Sequence, residues 1–287
     1  MNPLPIVAAT SFELQAGEQP VPLRAELKRV CDTAPRRINR LIELSLIGAH
    51  RCVARRPLPP DTPIYMAFAS GCIADSVAMV RDATRGQPPM PVTFINVSSN
   101  MAGFYVAASL GLHSGNQVVS ARGFPWEAML ELALLGGAAD RGLLMGAVEE
   151  CAWPLAEHRY RLGLPEDCKL LETSHWLLAD REATAPAALL HDVRQFPDDA
   201  ALRAWVGARR WPAGAELAAD GFAGDELAAL AQSAGLDLHA GLPDDTYAGL
   251  PAALACCRFI EQVRGRTLLH ITRARDGAWA AVHLETR

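Results

Sequence analysis

The 287-residue sequence is short of charge imbalance and of aromatic residues: its formal net charge is -5, and only 6% of its residues are aromatic. Such a balance gives no long-range pull toward nucleic acid, and no run of Lys and Arg is dense enough to line a basic groove. Long apolar runs are missing as well. Residues 143–148 are among the longest, far short of the roughly 20 residues needed to cross a bilayer. The opening stretch, MNPLPIVAAT, has neither the basic n-region nor the cleavage site of a secretory leader, so none is expected. Cysteine is present seven times but never in CxxC spacing. An odd number, with the adjacent pair Cys256 and Cys257 in an apolar segment, points to reduced thiols and a cytoplasmic protein. No two Cys or His residues stand at ligand spacing in a loop, so neither a metal nor a cofactor is expected.

What remains is the composition of a globular protein: 50% of residues are hydrophobic and 21% charged. Disorder is excluded by that apolar content, and the length suits one large domain with a sizeable core. The 22 glycines and 20 prolines are spread through the chain, so no low-complexity linker divides it.

Periodicity predicts a helix over 37–44, a strand over 63–68 ending at Gly71, and a helix over 74–83. Residues 92–97 are β-branched and read as extended. Ser98, Ser99 and Asn100 then offer caps for an apolar, small-residue helix over 101–112. A strand over 117–120, a Gly/Pro turn and a helix over 126–135 lead into a buried strand over 143–148. Strands over 175–178 and 188–193 follow, then helices over 199–206 and 225–234. A short strand over 236–239, a turn, a buried helix over 248–263 and a hairpin of 267–272 with 278–284 complete the chain. Alternating strands and helices argue for an α/β layered fold. The strand–turn–helix order of 117–135 recurs in 236–263, which suggests two related halves.

At this point a resemblance enters. The stretch from Phe94 through Asn100 and Phe104 to Ala107 is similar to the interface segment of β-ketoacyl synthases, the condensing branch of the thiolase fold. Leu110-Gly111-Leu112-His113-Ser114-Gly115-Asn116 resembles that family's approach to its nucleophile strand. Val118-Val119-Ser120 resembles the strand itself, and 142–150 resembles the glycine-rich strand with a terminal glutamate. The resemblance covers about Arg36 to Glu150 and, more faintly, the last stretch of the chain. It implies a single thiolase-like domain over 1–287 with layered αβαβα architecture, divided into an N-terminal ketosynthase-like half, 1–150, and an abbreviated C-terminal half, 151–287.

The resemblance also implies a loss. Ketosynthases need a cysteine at the start of the helix after that strand, where the dipole activates it. Gly123 matches that position, and Asp220 and Thr246 match the two histidines. A non-condensing subunit similar to a chain length factor is implied, of the short kind found with aryl-polyene and related type II polyketide systems. It would pair with a catalytic β-ketoacyl synthase or with itself, shape the acyl tunnel, and help dock acyl carrier protein. Phe94, Asn100, Phe104, Arg122, Phe124 and Trp126 are the expected interface or tunnel residues. Four of them also have a plain reading: Asn100 as a helix cap, Arg122 as a solvated turn residue, Phe124 and Trp126 as core aromatics.

Two further reactive groups draw attention. Cys72, between a strand and a helix, is the remaining thiol for an acyltransferase or hydrolase using another nucleophile or a bound water; a small buried cysteine is the commoner reading. His239 ends a strand facing the expected centre, though a satisfied strand histidine explains it equally simply. A self-associating binding protein without a pathway partner is the third possibility.

Overall fold

The computed structural model describes residues 2–32, 35–54, 56–88, 90–121, 123–136, 141–221, 224–243 and 245–287. In chain order these form β1 (Leu4–Gln15), α1 (Arg24–Val30), α2 (Arg40–Val53), β2 (Ile64–Phe68), α3 (Ile73–Thr84), α4 (Pro91–Asn96) and α5 (Asn100–Leu110). Next come β3 (Asn116–Ser120), α6 (Pro125–Leu135), β4 (Gly142–Glu149), α7 (Leu155–Leu162) and β5 (Lys169–Asp180). The rest are β6 (Ala188–Phe196), α8 (Asp199–Gly207), β7 (Glu216–Asp220), α9 (Gly224–Ala234), β8 (Asp237–Leu238), β9 (Thr246–Ala248), α10 (Pro251–Gln262), β10 (Thr267–Arg273) and β11 (Trp279–Thr286).

The strands lie in the order β3-β2-β4-β5-β1-β6-β11-β10-β7-β8, with β9 added to the start of β5. That order contains a duplication. Counted along the chain, β1–β5 are arranged from edge to centre as third, second, fourth, fifth, first. From the other edge, β6, β7, β8, β10 and β11 repeat the same arrangement. In each set the fifth strand runs antiparallel to its neighbours, β5 to β4 and β1, β11 to β10 and β6, while the other neighbours are parallel. β1 and β6 meet antiparallel at the centre, Leu4 opposite Leu190 and Ile6 opposite Ala188, so a local two-fold relates the sets. The α/β fold of two related halves expected from the sequence is therefore present. The sets divide between Asp180 and Ala188, downstream of the division after Glu150, because β5 closes the first of them.

Period-two alternation builds the layers. On β4, Leu143, Met145 and Ala147 face a central core with α6 and α10, while Leu144 and Val148 face an outer core with α2 and α5. On the second set, Leu268, Val282 and Leu284 join the central core, and Leu269, Ile271, Trp279 and Ala281 pack under α8 and α9. Strands covered on both faces lose polar alternation, which is why β4 reads LLMGAV. Trp176 locks the first set: its indole fills the space over Gly48 of α2 and Gly146 of β4, where a Cβ would lie 2.5 and 2.6 Å from ring atoms.

One sequence expectation is corrected. Residues 92–97, read as extended, form α4. Pro91 at its first position presets φ for a helix, and Phe94 N–H donates to Met90 O. The β-branched residues do not lengthen a strand here because the segment packs beside α3 rather than in the sheet. The central strand β1 has no sequence expectation to match it. Its Pro5 and its Ala8-Ala9-Thr10 give neither clean alternation nor a continuous apolar run.

Candidate functional site

The site expected from the sequence lies where α6 begins. β3 ends at Ser120, and the chain reaches α6 through Gly123, which has φ +103°. A Cβ on Gly123 would sit 3.3 Å from Cβ of Ala274, just beyond β10. Asp220, which ends the neighbouring strand β7, and Gly221 just beyond it approach the same end of β10, with the would-be Cβ of Gly221 3.0 Å from Arg273 Cβ. Gly123 and Asp220 are thus brought to one end of one strand. Thr246 is placed differently: it sits on β9, opposite Lys169 of β5, and its hydroxyl donates to Asp245 Oδ1 (2.9 Å).

The first turn of α6 holds a carboxyl group. Glu127 is buried, and its Oε1 accepts from Thr272 Oγ1 of β10 at 2.6 Å. Burial pushes its carboxyl above the ordinary range, against the opposing pull of the Thr272 hydroxyl and its own backbone N–H. Thr272 Oγ1 stands 3.5 Å from His270 Nδ1, and His270 Nε2 is 3.0 Å from Asp220 Oδ2. Parallel pairing sets this up, because Thr272 lies opposite Asp220 and His270 opposite Ala218. A cavity of about 40 Å³ adjoins the cluster, lined by Asp220, His270, His239, Leu242, Leu254 and Arg258 among others. His239 is held by Glu216 (2.5 Å), and Arg258 Nε donates to Glu13 (2.8 Å).

The other expected residues divide into two groups. Phe94 and Phe104 are 63% and 56% exposed, and Asn100 is exposed at the start of α5. Phe124 and Trp126 are buried, Trp126 completely and within the central core. Arg122 lies outside the described residues. Cys72 is buried, its thiol donates to Asn96 O (3.3 Å), and burial pushes its pKa up to about 12. A thiol that keeps its proton is a poor nucleophile. Glu127, His270 and Thr272 were not singled out in the sequence as partners, since α6 and β10 lie far apart along the chain. The one available clue is that His270 and Thr272 share a face of a strand ending in a hairpin.

A second polar cluster closes β4. Glu149 accepts from the N–H groups of Ala69 and Ser70, and Glu150 from Ala74 N–H in the first turn of α3 (2.9 Å). Burial raises the two carboxyls to about 7 and about 8. Beside them Arg40 Nε donates to Glu172 Oε1 at 2.6 Å, and Glu172 also accepts from Cys151 N–H at 3.1 Å. Among the described residues no group of His, Cys, Asp and Glu could hold a metal ion, and no helix is long and apolar enough to cross a membrane.

Neither a protein-family model nor a curated protein matches this sequence. Solved structures do match in fold. A chain of "The ishigamide ketosynthase/chain length factor" superposes with TM-score 0.71 and 17% identity, covering 100% of this chain and 99% of that one. "AntDE:AntF (apo): type II PKS acyl-carrier protein in complex with its ketosynthase bound to the hexaketide" gives TM-score 0.62 at 9% identity, with 100% of both chains covered. The "Ketosynthase (ApeO) in Complex with its Chain Length Factor (ApeC) from Xenorhabdus doucetiae" gives 0.56 at 11%, with 99% of each covered. The fold is therefore that of ketosynthase and chain length factor chains, as the sequence resemblance implied.

Proposed function

We propose that the chain is a non-condensing ketosynthase-like subunit that pairs with a competent ketosynthase in fatty-acid or polyketide assembly, of the aryl-polyene type. The observation that carries this reading is the entry to α6. A glycine with positive φ stands where the resemblance calls for a nucleophilic cysteine. Glycine has no side chain to acylate, and the two positions matched to the histidines carry Asp220 and Thr246.

A partner is supported by the surface around α4 and α5. Met90, Phe94, Ile95 and Phe104 are 65%, 63%, 54% and 56% exposed. β3, next to them, ends the strand order, so its outer edge is open to another chain. A ketosynthase, with acyl carrier protein engaged by the pair, is the occupant that the fold likeness favours. Reduced, buried thiols fit a cytoplasmic setting.

The test is co-expression with ketosynthases encoded beside this gene. Co-purification at fixed stoichiometry supports the reading. A stable homodimer or monomer that binds none of them, even with acyl carrier protein present, refutes it. The acyltransferase or hydrolase reading through Cys72 has the raised thiol pKa against it.

A further inference from the structure

Helix α3 is tied to the fold mainly at its start. None of its 12 residues, all of them described, is buried, and the helix it packs beside is α4. Its N-cap residue, Cys72, makes no side-chain cap bond. The N–H groups at that end turn instead to two carboxyls where β4 ends. Ala74 N–H donates to Glu150 at 2.9 Å, and Ala69 and Ser70 N–H, just upstream, donate to Glu149. Gly71, at φ +61°, makes the turn between these two fastenings. At the far end Arg81 pairs with Glu157 of α7 at 3.3 Å, with side chains 42% and 66% exposed, and such an exposed pair holds weakly. α4, by contrast, is pinned by buried Asn96, whose Nδ2 donates to Arg37 O (2.9 Å) and whose O accepts from Asn39 Nδ2 (3.0 Å).

We infer that Glu149 and Glu150 are a proton-operated latch on α3: protonated, they keep its first turn docked on the end of β4, and ionised, they release α3 to open from the rest of the fold. Charge is poorly housed where the latch sits. Both carboxyls are buried, and Glu150 Oε2 has no hydrogen-bond partner. Glu150 faces Asp75 of α3, Glu172 of β5 and Glu149, with Arg40 of α2 the nearby cation. The thiols of Cys72 and Cys151 beside it keep their protons, because burial pushes them up. Glu149 faces Arg161 of α7 and Tyr247 of β9.

Burial, joined around Glu150 by like charge, holds the carboxyls at about 7 and about 8 against the pull of the N–H groups. Opening brings both to water, where they ionise in the ordinary carboxyl range and pass their protons to solvent. The closed form therefore binds the more protons. Closure is fully favoured at low pH and weakens as pH rises through about 7 to 8. The latch goes beyond the subunit role proposed above and stands whether or not a ketosynthase binds.

The test is hydrogen exchange on the full chain, corrected for the intrinsic pH dependence of amide exchange. Amides of α3 should open at least about tenfold more often than those of β4, because they exchange by a local opening rather than by global unfolding. Their protection should also fall by about tenfold or more from about pH 6 to about pH 8. Glu149→Gln with Glu150→Gln keeps an oxygen acceptor for each N–H but cannot ionise, and should remove most of that pH dependence. Protection of α3 that does not fall with pH, or α3 and β4 exchanging together at every pH, overturns the latch. Both readings come from the wild-type chain, so they decide even where the double variant fails to fold. A folded double variant that keeps the full pH response overturns it as well.

Discussion

Arg40 and Glu172 form a two-pronged ion pair that ties the first turn of α2 to the interior of β5, with Glu172 wholly buried and Arg40 only 14% exposed. Trp153 covers the guanidinium, whose carbon lies 5.3 Å from the ring centroid. Removing one charge leaves the other desolvated and alone. Arg40→Leu should therefore cost about 3–5 kcal/mol in denaturant unfolding, several times what an exposed pair contributes. A loss under about 1 kcal/mol would mean that water reaches Glu172 freely.

The contact of Gly123 with Ala274 yields a second expectation. A side chain at φ +103° is strained, and the Cβ would press on Ala274 from 3.3 Å. Gly123→Cys should fold with a loss of about 1–3 kcal/mol. It should also release no carbon dioxide from a malonyl thioester, because the positions that the resemblance matches to the family's decarboxylating histidines carry Asp220 and Thr246. Decarboxylation by this variant would show that the site needs only its thiol restored.

The exposed face of α4 and α5 can be tested without touching the core. Phe94→Asp with Phe104→Asp should leave thermal unfolding nearly unchanged, since both side chains are more than half exposed. Association with a co-purifying ketosynthase should weaken by about tenfold or more, as central aromatic anchors do when lost. Unaltered association would place the interface elsewhere.

The carboxyls at the end of β4 should give stability a definite pH slope. Glu149 and Glu150 hold their protons more tightly folded than unfolded, to about 7 and about 8. The native state then binds more protons between the unfolded value and these, so their contribution is fully present at low pH and lost as pH rises through about 7 to 8. His158 and His283 act oppositely at the acid end, because burial lowers each to about 4 and their protonation favours unfolding below the ordinary histidine range. Unfolding free energy should fall from about pH 6.5 to about pH 8, and Glu150→Gln should flatten that slope. A slope identical in wild type and variant would assign it to other groups.

Much of the architecture was legible because it is written in local patterns. The helix–strand order around β2, α3, β3, α6 and β4, the repeat of β3–α6 in β8–α10, and the C-terminal hairpin all follow from periodicity and turn residues. α4 was misread, since β-branched composition says nothing about whether a sheet edge is available to receive the segment. The candidate site was legible only in part. Gly123 and Asp220 could be matched by motif, but nothing local joins Glu127 to Thr272 or His270 to Asp220 across the sheet.

The sequence by itself determined the class of element at most positions and the apolar layers. It did so because side-chain period and residue identity are properties of the chain. Only the tertiary structure decided that β1 and β6 join two like sets of strands. The same level of structure brings Glu127 of α6 onto Thr272 of β10 and sets both beside His270. Those relations depend on strand pairings between residues far apart in sequence, whose register is fixed by the packed layers as a whole.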